Sequence, residues 1–257
     1  ETGYAKPDSI TSAGESIANA TFPTQGAIEV DEVFTEIDIP ILSGMTAFEE
    51  LSVNLQWRYS DYDTFGGEDV YRAGLNWQIN DWVRIRGNVS TAYRAPQVTD
   101  LYSGGVESFD FFTDICEAAV SGITPGSNAY QNCVLDGIDP GTFTQQYAVL
   151  AGGNINLGPE TADTMTYGIV FTPGGFAEGL QIAVDAWDIE VTDLITRPQS
   201  DGILDACYEG PVGLTAPECS QFNGRNPLDG RPVDFVNQLI NDTFVETNGY
   251  DLSINYA

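Results

Sequence analysis

Residues 50–60 read ELSVNLQWRYS. Leu51, Val53, Leu55, Trp57 and Tyr59 fall on one side of an extended chain, and Glu50, Ser52, Asn54, Gln56, Arg58 and Ser60 on the other. Successive side chains of a strand point to opposite faces, so an unbroken period of two predicts a β-strand with one apolar face. The stretch is also about as long as the 9–11 residues a tilted strand needs to cross a bilayer.

The same pattern recurs on both sides. In 30–41, VDEVFTEIDIPI, Val33, Thr35, Ile37, Ile39 and Ile41 oppose Glu32, Glu36 and Asp38. Phe34 is an apolar exception, and Pro40 sits near the end, where a strand can lose a donor. A short connector, 42–46, joins this strand to the next. The polar loop DYDTFGGED (61–69) leads to 70–79, where Tyr71, Ala73, Leu75, Trp77 and Ile79 oppose Arg72, Asn76 and Gln78. A turn at Asn80-Asp81 opens 83–94, where Val83, Ile85, Val89, Thr91 and Tyr93 oppose Arg84, Arg86, Asn88, Ser90 and Arg94. Three more segments follow, 161–172, 180–191 and a last one through Tyr250, Leu252, Ile254 and Tyr256. In 180–191 the alternation slips at Trp187-Asp188, which predicts a β-bulge. The reading is all-β, with about seven antiparallel strands in a meander.

Connections alternate between short turns and long loops. The long ones, 95–160 and 197–242, exceed ordinary connections in a compact domain. An up-and-down membrane barrel has this asymmetry, with tight turns on one side and long loops outside. Trp57, Tyr59, Tyr71, Trp77, Tyr93 and Tyr256 lie near strand ends on the apolar face, as an interfacial girdle would. The opposite face carries Arg58, Arg72, Arg84 and Arg86 with Glu32, Glu36, Asp38 and Glu50, too many charges for a packed core. A soluble β-sandwich with one wet face also explains the alternation, but not the placement of the aromatics.

Composition narrows the function. The formal net charge is −29, from 9 Lys+Arg against 38 Asp+Glu. Binding a polyanion requires a basic footprint, so nucleic acid is excluded as a partner. At 42% hydrophobic and 11% aromatic residues the chain is too apolar to be disordered. With no histidine, Ser-His-Asp and Cys-His catalysis and His-ligated zinc are excluded. No nucleophile–base pair and no distinctive pair of carboxylates is present, so an enzyme is not expected. Cys116, Cys133, Cys207 and Cys219 lie in two separated Gly/Pro-rich stretches. Pairing Cys116 with Cys133 and Cys207 with Cys219 closes the shortest loops and implies an oxidising exterior. No run of about 18 apolar residues marks a membrane helix, and the polar segment at Glu1 does not read as a signal peptide.

Three stretches carry a family resemblance. NVSTAYRAPQVTDLY (88–102) resembles the strand-to-loop signature of TonB-dependent outer-membrane receptors. NINLGPETADTMTYGIVFTP (154–173) and LQIAVDAWDIEVTDLI (180–195) are similar to the strands that follow it in that family. EVFTEIDIPIL (32–42) resembles an earlier barrel strand and TNGYDLSINY (247–256) a later one. Ile155 stands where the family often has proline, Thr166 or Tyr167 where it often has glutamate, and Asp251 where glutamate is usual.

The resemblance implies a transmembrane β-barrel in the outer membrane of a Gram-negative bacterium. It implies active import of a bulky nutrient, an oligosaccharide or siderophore–iron, pulled by TonB through a plug domain. Family barrels have about 22 strands, so residues 1–257 are expected to be a middle-to-late barrel segment, without plug or terminal strands, whose sheet is closed by the rest of the barrel or by other chains. On this reading 1–28 is the remnant of an extracellular loop, and 95–160 and 197–242 are extracellular. A passive porin and a secreted all-β binding module are the alternatives.

Ligand capture would fall to the first long loop. Its aromatics and carboxylates are Tyr102, Phe109, Asp110, Phe111, Phe112, Asp114, Tyr130 and Tyr147. Rings stack on sugar faces and carboxylates bond hydroxyls, which favours a carbohydrate over a metal chelate; for any single ring, packing within the loop is the competing reading. Asp61, Asp63, Glu68 and Asp69 offer oxygens to calcium, but without EF-hand spacing, so a solvated acidic turn is the favoured reading. No other cofactor is expected.

Overall fold

The computed structural model describes residues 1–110, 112–116, 124–138 and 147–256. The chain divides into two compact units. One comprises Ile28–Pro96, Gly158–Ile195 and Asn241–Ala257, the other Glu1–Ala27, Gln97–Leu157 and Thr196–Ile240.

The first unit is a single sheet. Its strands are β1 (Val30–Met45), β2 (Phe48–Tyr62), β3 (Gly66–Asn80), β4 (Val83–Arg94), β5 (Glu160–Phe171), β6 (Leu180–Thr192) and β7 (Phe244–Tyr256). All seven pair antiparallel in chain order, leaving β1 and β7 as edges. These are the strands read from the alternation, most of them longer. The connector at 42–46 shrinks to a turn at Thr46-Ala47, with Ala47 at φ 64°. The loop 61–69 shrinks to Asp63–Phe65. Backbone ladders do not depend on side-chain polarity, so they continue where the alternation fades.

Besides a register shift between Gln78 and Asn80 at the β3–β4 turn, two irregularities separate sequence from structure. A register shift between Pro40 and Leu42 places Leu42, not Ile41, opposite Leu51. Proline has no N–H for the ladder, and a bulge accommodates it. At Trp187-Asp188 the expected bulge is absent. β6 pairs with β5 and β7 without a shift from Ile182 to Thr192. The alternation therefore slips while the backbone does not. Trp187 and Ile189 turn to the polar face, and Asp188 and Glu190 to the apolar one.

The register shows how the apolar face is organised. Ile39 lies in line across the sheet with Val53, Leu75, Gly87, Tyr167, Ala186 and Tyr250. On β7 Tyr250 is the last apolar residue of this face before Asn248 and Glu246, whereas on β1 the apolar run continues beyond Ile39 to Val33. Between them the limit steps through Tyr59, Tyr71, Met165 and Ala186, with Asp61, Asp69, Asp163 and Asp188 just beyond; β4 departs from this order, its face running on through Thr91 to Tyr93. The limit thus moves six residues, roughly 20 Å at about 3.4 Å per residue, while six strand spacings cover roughly 29 Å. Its slope is about 35°, the tilt of strands in a membrane barrel. Ile37 is 51% exposed and Ile254 61%, so no described residue covers this band. Every lysine or arginine of the unit (Arg58, Arg72, Arg84, Arg86, Arg94) is on the other face.

The second unit has its own elements, although its three segments were read as an extracellular remnant and two loops. Val106–Asp110, Tyr147–Gly152 and Val236–Gln238 form a small mixed sheet, the last strand parallel to the second. Thr2–Ala5 pairs with Thr24–Ala27, and helices span Asn128–Leu135 and Ser200–Glu209. Ile115, Ile138, Val149, Leu204, Tyr208 and Phe235 are buried together with Cys116, Cys133 and Cys207 in one core. Cys116 is joined to Cys133 and Cys207 to Cys219, as the spacing predicted.

Candidate functional site

The polar face of the sheet is a ladder of paired groups. Asn54 Nδ2 donates to Glu36 Oε1 at 3.1 Å and to Asp38 Oδ1 at 2.7 Å, and Gln56 Nε2 to Glu36 at 2.8 Å. Ser60 donates to Glu32 at 2.7 Å, and Arg58 lies 3.7 Å from the same carboxylate and over the ring of Phe34, which explains the apolar exception. Arg72 Nε donates to Asn88 Oδ1 at 2.6 Å and Arg84 Nε to Gln78 Oε1 at 2.7 Å.

One pair reaches across a whole strand. Arg86 on β4 grips Asp185 on β6 with two bonds, of 2.9 and 2.7 Å. The residue between them in register, on β5, is Gly168. A Cβ there would lie 2.0 Å from Asp185 Oδ1, so only glycine lets the pair close. Gly74, which also faces this side, lines an open trough of about 840 Å³ bordered by Asp38, Arg72, Arg86, Asp185, Trp187 and Asp251.

The second unit is fastened around a buried charge. Arg225 and Asp114 are both 0% exposed at their side chains and form an ion pair. Arg225 also donates to Asp114 Oδ1 at 3.0 Å, to Tyr208 Oη at 2.8 Å and to the Gly230 carbonyl at 3.0 Å. Tyr208 in turn donates to Asp136 at 2.5 Å. Asp114 accepts the Cys116 amide at 2.9 Å, which ties the pair to the first disulfide. Burial opposes the charge of Arg225, but the hydrogen bonds and charge of Asp114 outweigh it and hold the guanidinium above its ordinary value. Burial pushes the Tyr208 phenol upward, against Arg225 and with Asp136. Asp205, on the Ser200–Glu209 helix, is raised by burial and by Glu209, Asp201 and Asp114.

Among the described residues, those proposed from sequence for ligand capture have different surroundings. Asp114 belongs to the buried knot, with Arg225 and the Cys116 amide on its carboxylate. Phe112 packs edge-on to Phe235, with ring centroids 6.0 Å apart. Tyr102 lies over Gly26, where a Cβ would be 2.1 Å from the ring. Tyr130 is half-buried on its helix. Phe109 is exposed. Asp110 and Tyr147 are opposite in register, and their side chains, like Phe111, lie outside the described residues. The calcium candidates diverge. Asp63 accepts the Glu29 amide at 3.0 Å, Asp69 accepts Trp57 Nε1 at 2.9 Å, and Glu68 is on the opposite face from Asp61 and Asp69. Among the described residues no group of three acidic or cysteine side chains is placed to hold a metal.

Sequence reasoning missed three parts. Trp187 was visible as a slip in the alternation but was assigned to a bulge. Gly168 looked like an ordinary small residue. Arg225 gave no local signal, because its partner is 111 positions away.

A family model described as "TonB dependent receptor-like, beta-barrel" matches residues 3–257. Among solved structures, the siderophore receptor PirA from Pseudomonas aeruginosa is similar at 13% identity and a TM-score of 0.54, over 90% of this chain and 31% of its own. PirA from Acinetobacter baumannii is similar at 14% and 0.56, over 98% and 29%. The ferric enterobactin receptor PfeA of Pseudomonas aeruginosa is similar at 15% and 0.56, over 89% and 24%. The chain spans less than a third of the length of each of these three. No curated protein matches it.

Proposed function

The chain belongs to the TonB-dependent receptor β-barrel family, and from that premise we propose that it forms part of an active importer in the outer membrane of a Gram-negative bacterium. The observation that carries this is the sloping apolar band. One face of a seven-stranded sheet is apolar, uncovered by any described residue and free of cations, and its limit follows the tilt of a membrane barrel. The other face, lined with paired charges, meets water or the plug. Edge strands β1 and β7 leave backbone groups that lipid cannot satisfy, so other strands of the barrel must pair with them.

The disulfide-fastened unit is the capture surface, held in shape so that less order is lost when cargo binds. The cargo is a bulky nutrient of oligosaccharide or siderophore–iron type, and the import is energised by TonB acting through a plug. The comparison structures are siderophore receptors, which supports the second type. The acidic surplus of this chain supports a cargo without strong negative charge.

The test is made on the full receptor in cells. It is expected in the outer-membrane fraction, with heat-modifiable migration and with cargo uptake that stops when TonB is lost. Uptake that persists without TonB would make it a passive channel. A protein that stays soluble without detergent would make it a secreted binding module.

A further inference from the structure

Trp187 is out of place on its face. Its register row across the sheet reads Asp38, Asn54, Gly74, Asn88, Thr166, Trp187 and Gly249. In a wall of short polar groups and glycines one large ring stands half-buried at the border of the trough. Its indole lies close over Gly249, where a Cβ would be 2.7 Å from Cζ2 and 3.1 Å from Cε2. Glycine in the middle of a strand weakens it, and a close approach is one reason to retain it. Beside the ring, Asp185 and Asp251 stand directly opposite each other on β6 and β7. Like charges in that position are destabilising. Arg86 answers Asp185, while the Asp251 carboxylate accepts no hydrogen bond from a described residue.

We propose that Trp187, on its Gly249 seat, and Asp251 form a stacking subsite on the polar wall for a neutral polyhydroxylated ligand, an oligosaccharide. A pyranose face covers the indole while its hydroxyls donate to Asp251. Arg86 is taken by Asp185, and the other cation bordering the trough, Arg72, is held on Asn88 and sits on β3, three strands from the ring, so an anionic chelate finds no free counter-charge beside the indole. The inference rests on the importer reading and names its class of cargo.

The full receptor, purified in detergent, is applied to an array of neutral oligosaccharides. Binding to at least one of them is expected. Trp187→Ala should weaken it about ten-fold, Trp187→Phe should keep most of it, and Gly249→Ala, which displaces the ring without removing it, should fall between. Heat-modifiable migration checks that each variant is folded. No binding by folded wild-type receptor, or binding unchanged in Trp187→Ala, overturns the subsite. Uptake is scored separately. TonB-dependent uptake with binding indifferent to Trp187 sinks the subsite and keeps the importer. Glycan binding through Trp187 without TonB-dependent uptake does the reverse.

Discussion

The sheet and the disulfide unit bury apolar surface in opposite ways. In the disulfide unit Leu204, Cys207 and Tyr208 are fully enclosed, and a buried ion pair and two cross-links fasten the core. In the sheet the large apolar side chains point outward, with Tyr250 at 80% exposure and Leu252 at 67%. A water-soluble domain of that composition would fold those residues inward, because burying them is the main drive to fold. The sheet instead closes its backbone hydrogen bonds and leaves its side chains for another solvent. One chain therefore contains a unit with its own buried core and a unit whose apolar face no described residue covers.

The largest test of that division is at the buried pair. Asp114→Ala leaves Arg225 charged and alone in the core, at a cost of about 3–5 kcal/mol. Proteolysis should then cut within 196–240 while the sheet retains heat-modifiable migration. If the sheet were lost as well, the two units would be one cooperative structure. Next, Leu55→Arg puts a charge in the middle of the apolar band and should destabilise the barrel by about 2–4 kcal/mol in lipid vesicles. Gln56→Arg, one residue on and beside Glu36, should cost little. Equal effects would erase the difference between the faces. Replacing both Cys207 and Cys219 by serine should cost the disulfide unit about 2–3 kcal/mol, read as protease resistance, with no effect on the sheet. The smallest effect is expected at Gly168→Ala. Its Cβ would displace Asp185 from Arg86, a half-exposed pair, so a loss of about 1 kcal/mol in the same vesicles is expected.

The contrast also explains what could be read from the sequence. The strands were legible because the period of two is a local property, and residues 50–60 show it without a break. The disulfide partners were legible because each pair closes a short loop. The bulge at Pro40 was half-legible, since proline announced a weak point but not which neighbour would be displaced. Trp187 was misread because a slip in side-chain pattern and a slip in backbone register look alike in one dimension. The inner fabric of the disulfide unit was not legible. Asp114 and Arg225 meet through the fold, and an aspartate among phenylalanines reads as well for ligand binding as for a buried salt bridge. The slope of the apolar limit required the register, since each strand alone gives only its own end points.

The most direct test of the central claim follows that slope. Spin labels are placed one at a time on the full receptor in lipid, at the outward positions from Tyr59 to Leu51 on β2 and from Tyr250 to Tyr256 on β7. Their contact with oxygen, which enriches in lipid, is compared with a water-soluble relaxant. Lipid contact is expected at these sites, water contact at the inward neighbours between them (even-numbered on β2, odd-numbered on β7), and an upper limit at Tyr59 on β2 and at Tyr250 on β7. Water contact at both sets, or a limit that follows a single register row across the sheet, would contradict it.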